Sequence, residues 1–397
     1  MNRKEENRED IAQKPLMTRR DFNIAVPLAA APAILLANGA ESTTIENRER
    51  SPNVGPDREQ RFSCIDRALG YLHRQGSGRD GAFGSQASIG VTALAAAGML
   101  RSRLSPLEPL LSMSLKLLAD FIDVNERSSA QAGMFANYET CLAMMALKEA
   151  NAEGRYDRQL RKAETFVKQS QWDEAAGKQS ADPAYGGAGY GKHKRPDLSN
   201  TAFLIDALKA SGSGPDDPAV QKALIFVSRC QNLETEHNAT AFADKNPDGG
   251  FYYTCAAGGD SPAGKLANGG LRSYGSMTYS GLKSMIYAGV QADDPRVKAA
   301  LAWIRKNYDL QSNPGGLGSA GLYYYYQVFA KAMYALGEDC FADAAGKRHD
   351  WRRELAEELF ARQKENGSWI NENIRWMEGD PELVTSYALL ALSYCSS

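Results

Sequence analysis

From residue 59 onward, apolar residues recur every three or four positions in six segments, near residues 61–75, 108–122, 158–171, 218–231, 295–308 and 351–363. In the first the stripe is Phe62, Ile65, Leu69 and Leu72; in the fifth it is Val297, Leu301, Ile304 and Tyr308. Such spacing puts the apolar side chains on one face of a helix and leaves a polar back. Between these lie six segments that are apolar on more than one face, around Thr92, Thr140, Thr201, Thr278, Tyr326 and Thr385. A helix of the second kind must be covered on several sides. The alternation therefore predicts twelve helices in two layers, the apolar set inside and the amphipathic set outside.

The pattern is also a repeat. A shift of 77 residues brings Thr201 onto Thr278, Gly212 onto Gly289, Asp216-Asp217-Pro218 onto Asp293-Asp294-Pro295, Val220 onto Val297 and Leu224 onto Leu301. Each Asp-Asp-Pro reads as a helix start: the aspartate accepts orphan backbone N–H groups, and proline at the first helical position lacks a donor that would be orphaned anyway. A glycine-rich turn precedes most inner segments: Gly81-Ala82-Phe83-Gly84, Gly133-Met134-Phe135, Gly186-Gly187-Ala188-Gly189-Tyr190, Gly249-Gly250-Phe251-Tyr252, Gly315-Gly316-Leu317-Gly318 and Gly367-Ser368-Trp369.

Two of these elements carry a family resemblance. Gln363-Lys-Glu-Asn-Gly367-Ser-Trp369 resembles in full the Gln-x-x-x-Gly-x-Trp repeat of squalene cyclases, and Gln311-Ser-Asn-Pro-Gly315-Gly-Leu317 resembles it except for the aromatic. Asp197-Leu-Ser199-Asn200-Thr-Ala, directly after a glycine turn, is similar to the Asp-x-Asp-Asp-Thr-Ala element of class II terpene cyclases. Residues 60 to 397 thus resemble the terpenoid cyclase and protein prenyltransferase superfamily. The resemblance implies an all-α, α6/α6 toroid whose inner helices line a central cavity. It also implies a missing acid, because the middle aspartate that protonates substrate in those cyclases is Ser199 here. The zinc-binding Asp-x-Cys pair of the protein prenyltransferases has no counterpart, nor has the Cys-Gly-Glu-Gln of complement-type thioester domains. With four histidines, no His-x-x-x-His and no clustered thiols, no metal or other cofactor is expected.

If the inner helices share one orientation, their N-termini gather Asp197, Tyr138-Glu139, Tyr274 and Tyr324 on one face. Asp197 and Glu139 are the candidate acids. Tyr190, His193, Arg195, Tyr274, Tyr324 and Trp376 are the candidate ligand-binding residues. Helix N-termini are partially positive, and Lys192, His193, Lys194 and Arg195 precede Asp197, so this carboxylate is expected to be ionised and a poor proton donor. Helix capping alone also accounts for Asp197 and Ser199. The abundant aromatics, from Phe83 and Phe135 to the run Tyr323–Tyr326 and Trp369, can face carbocations or sugars, or can pack between helices.

Composition narrows the partners. The 397 residues are 43% hydrophobic with a net charge of -2, enough for a substantial core and without the basic surface that nucleic acid requires. Thr18-Arg19-Arg20-Asp21-Phe22, followed by an apolar run from Ile24 to Leu36, reads as a twin-arginine export signal over residues 1–40, with a polar linker at 41–58. That implies dealings with the twin-arginine export machinery, a periplasmic or other extracytoplasmic location, and contact with a membrane periphery. Small residues at Ala37, Gly39 and Ala40 offer a cleavage site; retention as an anchor is the alternative. The six cysteines show no framework spacing, and Cys64, Cys141 and Cys395 read as apolar packing residues.

Three functions remain open from the sequence. The first is an exported protein that binds an isoprenoid, another lipid or a partner in its cavity without catalysis. The second is a divergent isoprenoid cyclase or transferase using Asp197 or Glu139. The third is a carbohydrate-active enzyme, which would need two opposed carboxylates among residues such as Glu139, Asp248, Glu372, Asp380 and Glu382.

Overall fold

The computed structural model describes residues 54–125, 135–191 and 195–396. The signal, most of the linker, His193 and the Gly133 turn lie outside the described residues. Twelve α-helices are present among the described residues. The outer set is α1 (Arg58–Gly76), α3 (Pro109–Asn125), α5 (Asp157–Gln169), α7 (Pro218–Arg229), α9 (Pro295–Lys306) and α11 (Trp351–Arg362). The inner set is α2 (Ile89–Arg101), α4 (Ala136–Glu149), α6 (Leu198–Ser211), α8 (Gly275–Tyr287), α10 (Leu322–Leu336) and α12 (Pro381–Tyr394). Each inner helix packs on the next, α2 on α4, then α6, α8, α10, α12 and back to α2, so the ring closes. This is the α6/α6 toroid. No described helix is long and apolar enough to cross a membrane.

Both Asp-Asp-Pro starts form as expected: Asp217 accepts from the Ala219 N–H at 2.9 Å, and Asp294 from the Arg296 N–H at 2.8 Å. One element was not anticipated. A two-stranded antiparallel ribbon, β1 (Phe341–Ala342) and β2 (Arg348–His349), joins α10 to α11. His349 sits between Asp343 and Glu354 there, 3.1 and 2.9 Å away.

The glycine turns do the same job four times. The amide two residues after the leading glycine donates to the threonine hydroxyl of the following inner helix: Phe83 to Thr92 at 2.9 Å, Ala188 to Thr201 at 3.0 Å, Phe251 to Thr278 at 3.1 Å and Trp369 to Thr385 at 3.1 Å. Three glutamines at the ends of outer helices complete the joint. Gln171 donates to the carbonyls of Gly186 and Ala219, Gln231 to those of Gly249 and Arg296, and Gln363 to those of Gly367 and Cys64. Each glutamine thus ties its own turn to the first half of the next outer helix. The last of them closes the ring, because Cys64 lies on α1. Gln311 departs from this rule: exposed, it donates to Glu358 instead. Its turn lacks the aromatic, and Tyr326 stands where the other repeats have threonine, with its hydroxyl donating to the Leu310 carbonyl at 2.7 Å.

The leading glycine cannot be replaced at these joints. At Gly367, φ is +91°, and an added Cβ would lie 2.2 Å from the Arg67 carbonyl oxygen on α1. Gly177 has a similar φ of +72° with open space around it. Gly177→Ala is therefore expected to lower stability by about 1 kcal/mol through backbone strain alone. Gly367→Ala should lower it by about 3 kcal/mol or more, since backbone atoms must separate. Denaturant midpoints of the two variants measure the difference; equal losses would show that the joint tolerates a side chain.

Candidate functional site

The inner-helix N-termini share one face, and loops bring the candidate residues together there. Asn137 at the start of α4 bonds the carbonyls of Tyr190 and Gly189 through its main-chain and side-chain nitrogens, at 3.1 and 2.7 Å. The Leu198 amide at the start of α6 donates to the Tyr253 carbonyl at 2.8 Å. Tyr274 takes the N-cap position of α8, and Tyr324 lies in the first turn of α10. Half-buried Tyr138, Tyr190, Tyr253, Tyr324 and Ser199 form the walls of a bowl. Phe203 and Tyr387, buried below them, form its floor.

The rings of the bowl touch in sequence. Centroid separations are 5.8 Å for Tyr190–Tyr138, 5.3 Å for Tyr138–Phe203, 6.2 Å for Phe203–Tyr324 and 5.9 Å for Tyr324–Tyr387. Tyr387 and Tyr138 also interact across the axis, which closes the circuit. Helices α6 and α10 are separated in the ring by α8, and α4 and α12 by α2, so these side chains meet across the axis. Where the family resemblance implies an open central cavity, touching aromatic side chains therefore fill the axis beneath the helix N-termini.

Asp197 is the N-cap of α6 and almost fully buried. Its Oδ1 accepts from the Asn200 backbone N–H at 2.9 Å and its Oδ2 from the Asn200 side-chain amide at 2.8 Å, and the Tyr253 hydroxyl lies near it. The downward shift expected from the helix terminus and the basic neighbours is not found. Burial raises its pKa to about 6, outweighing the hydrogen bonds and the nearby Arg195 guanidinium. Arg195 spends its charge on Asp260 at 2.7 Å, with its guanidinium 5.8 Å from the Tyr253 ring.

Ser199, at the position of the cyclase acid, is hydrogen-bonded to the Tyr324 hydroxyl at 2.8 Å. Burial also raises Glu139, opposed by a hydrogen bond from the Gly90 backbone. Trp376 stands apart from this cluster. Its own φ is +56°, Arg375 lies 4.3 Å over its ring, and the ring covers Gly321 at the start of α10.

Three of the acids considered for sugar cleavage bond to the backbone. Asp380 caps α12, Glu382 accepts from the Gly84 amide and pairs with Arg79, and Asp248 holds the Gly250 amide and the Ser273 hydroxyl. Glu372 is exposed. Glu378 is a residue the sequence reading missed. Buried, with its pKa raised for that reason, it accepts from the amides of Tyr323 and Tyr324 and so caps α10. A second missed group lies deeper: Asp206, Lys283 and Lys331 meet in the ring interior. The repeat held a signal for it, because Asp206 and Lys283 are separated by the 77-residue period itself. Among the described residues no cluster of histidine, cysteine and carboxylate could hold a metal.

No protein-family model matches the chain, and no curated protein matches its sequence. Solved structures do. A type II terpene cyclase, MstE from Scytonema, in complex with geranylgeranyl dihydroxybenzoate, is similar at 12% identity and a TM-score of 0.50, over 85% of this chain and 97% of that one. A polysaccharide lyase matches at 10% identity and 0.49 over 85% and 96%, and a glycosidase at 12% and 0.48 over 85% and 98%. At such identities the likeness establishes the toroid fold and not the chemistry.

The raised pKa gives a pH-dependent stability with a defined sign. With a folded-state pKa of about 6 against 3.8, Asp197 contributes stability that is fully present below pH 3.8 and lost as pH rises through 6. Asp197→Asn removes this titration, and the unpartnered side-chain oxygen of Asn200 can turn to accept from the new amide. Relative to wild type, the variant should gain stability between about pH 4 and 7, by at most about 3 kcal/mol. Urea midpoints across this range test it; parallel profiles would contradict the buried, protonatable carboxylate.

Proposed function

We propose that this protein binds an apolar or amphiphilic molecule of isoprenoid or lipid type at the aromatic bowl and does not transform it. The observation that carries the reading is Ser199: the position of the cyclase acid holds a hydroxyl engaged by Tyr324, and neither neighbour replaces it. Alkene protonation needs a strong acid, whereas Asp197 has a raised pKa and both oxygens occupied by Asn200. What remains is a half-exposed cluster of aromatic rings with hydroxyls at its edge, suited to rings, double bonds and a polar terminus. That the same fold holds a prenylated aromatic in the Scytonema cyclase agrees with this ligand class. The export signal read at residues 18–36 would put the binding outside the cytoplasmic membrane.

A second reading rests on one observation, the pKa of about 6 at Asp197, which suits proton transfer near neutral pH. Native mass spectrometry with squalene and geranylgeraniol, followed by product analysis, separates the two. Binding with the ligand mass unchanged, weakened at least about tenfold by Tyr190→Ala, is the expected result, as for loss of a stacking aromatic. A new product that disappears in Asp197→Asn would overturn the non-catalytic reading. Absence of any complex would overturn the ligand class.

A further inference from the structure

Below the bowl, the ring interior carries an unbalanced charge. Asp206 Oδ2 accepts from Lys283 Nζ at 2.5 Å and from Lys331 Nζ at 2.7 Å. These three groups come from α6, α8 and α10, and Lys331 reaches far enough to place its Nζ 4.0 Å from Met145 Sδ on α4, directly across the ring. All three side chains are buried, Lys331 the least so at 9%. Two ammonium groups against one carboxylate leave a net positive charge inside the protein. Such a charge is costly unless a counter-charge reaches it.

The surroundings do not supply that counter-charge. Glu149, the acid at the end of α4, is taken by Arg101 at 2.8 Å, and Arg101 also interacts with Tyr394 of α12. Tyr287 on α8 and Tyr394 face the group with neutral hydroxyls, since burial pushes both pKa values up. Asp206 Oδ1, within the group, and Gln327 Oε1, one turn before Lys331 on α10, are also buried without a hydrogen bond. Each ammonium group has one Asp206 oxygen as its carboxylate partner and N–H donors to spare.

We propose that the Lys283–Asp206–Lys331 group binds the carboxylate of an amphiphilic ligand, whose single charge brings the set to neutrality. The inference rests on the reading of the bowl as a ligand site and adds the headgroup. Asp206 follows Ser199 by seven positions on α6, about 10 Å along the helix, so a chain of about eight to ten carbons spans from the lysines to the bowl. Phe203 and Tyr387 would line its path and have to turn aside to admit it. Burial and Lys331 depress Lys283 to about 8, and an arriving carboxylate raises it again. Binding should accordingly take up protons near pH 8.5.

The test is calorimetric titration of the full chain with decanoate and with decanol, in two buffers of different ionisation enthalpy. Decanoate binding at least about tenfold tighter than decanol, with proton uptake at pH 8.5, is expected. Lys331→Met leaves a neutral Lys283–Asp206 pair, so it should fold with an unchanged or higher melting temperature and lose the preference for decanoate. Lys331→Gln gives the same readout should the methionine variant fail to fold. Equal binding of decanoate and decanol would overturn the headgroup assignment while leaving the bowl as a ligand site. Failure of both probes beside retained squalene or geranylgeraniol binding would also overturn it alone. Failure of every probe would overturn the bowl reading too.

Discussion

A single hydrogen bond, repeated, holds the two layers of this ring together: a turn amide given to a threonine hydroxyl on the next inner helix. Both partners are buried, so neither can turn to water if the other is lost, and an unmet buried donor costs about 1 to 3 kcal/mol. The glycine two residues earlier permits this approach by letting the turn lie against the neighbouring outer helix, and the glutamine secures the turn carbonyl. Spacing of turn, outer helix and inner helix is thereby set once and copied. Where one part is missing, as at Gln311, the other parts change with it: Tyr326 replaces the threonine and reaches a different carbonyl.

That joint explains why so much of the fold could be read from the chain. Helix limits followed from the three-and-four spacing and from Asp-Pro starts, because capping and periodicity are local physics. Closure into a ring was legible through the resemblance of the glutamine–glycine–tryptophan turn, whose side chains make the closing bonds. The inner face was not legible. An inner helix is apolar on several sides, so its sequence does not say which residues point to the axis, and Phe203, Tyr387 and Lys331 emerged only with the assembled ring.

Asp197 shows how a local reading fails for a physical reason. Four positions before it carry basic or imidazole side chains, and a helix begins at it; both favour a carboxylate. Burial in a tyrosine pocket outweighs them. Arg195, the described member of that stretch, is turned to Asp260. The interior thus has two levels of different character, aromatic and hydroxylated toward the helix N-termini, charged and lysine-bearing deeper along the inner helices.

The closing bond between Gln363 and the Cys64 carbonyl joins residues 299 positions apart. During synthesis α1 emerges first and packs against α11 and α12, which emerge last. The ring is therefore complete only when its first and last outer helices meet, and that contact spans most of the toroid in sequence, so it is among the slowest to form.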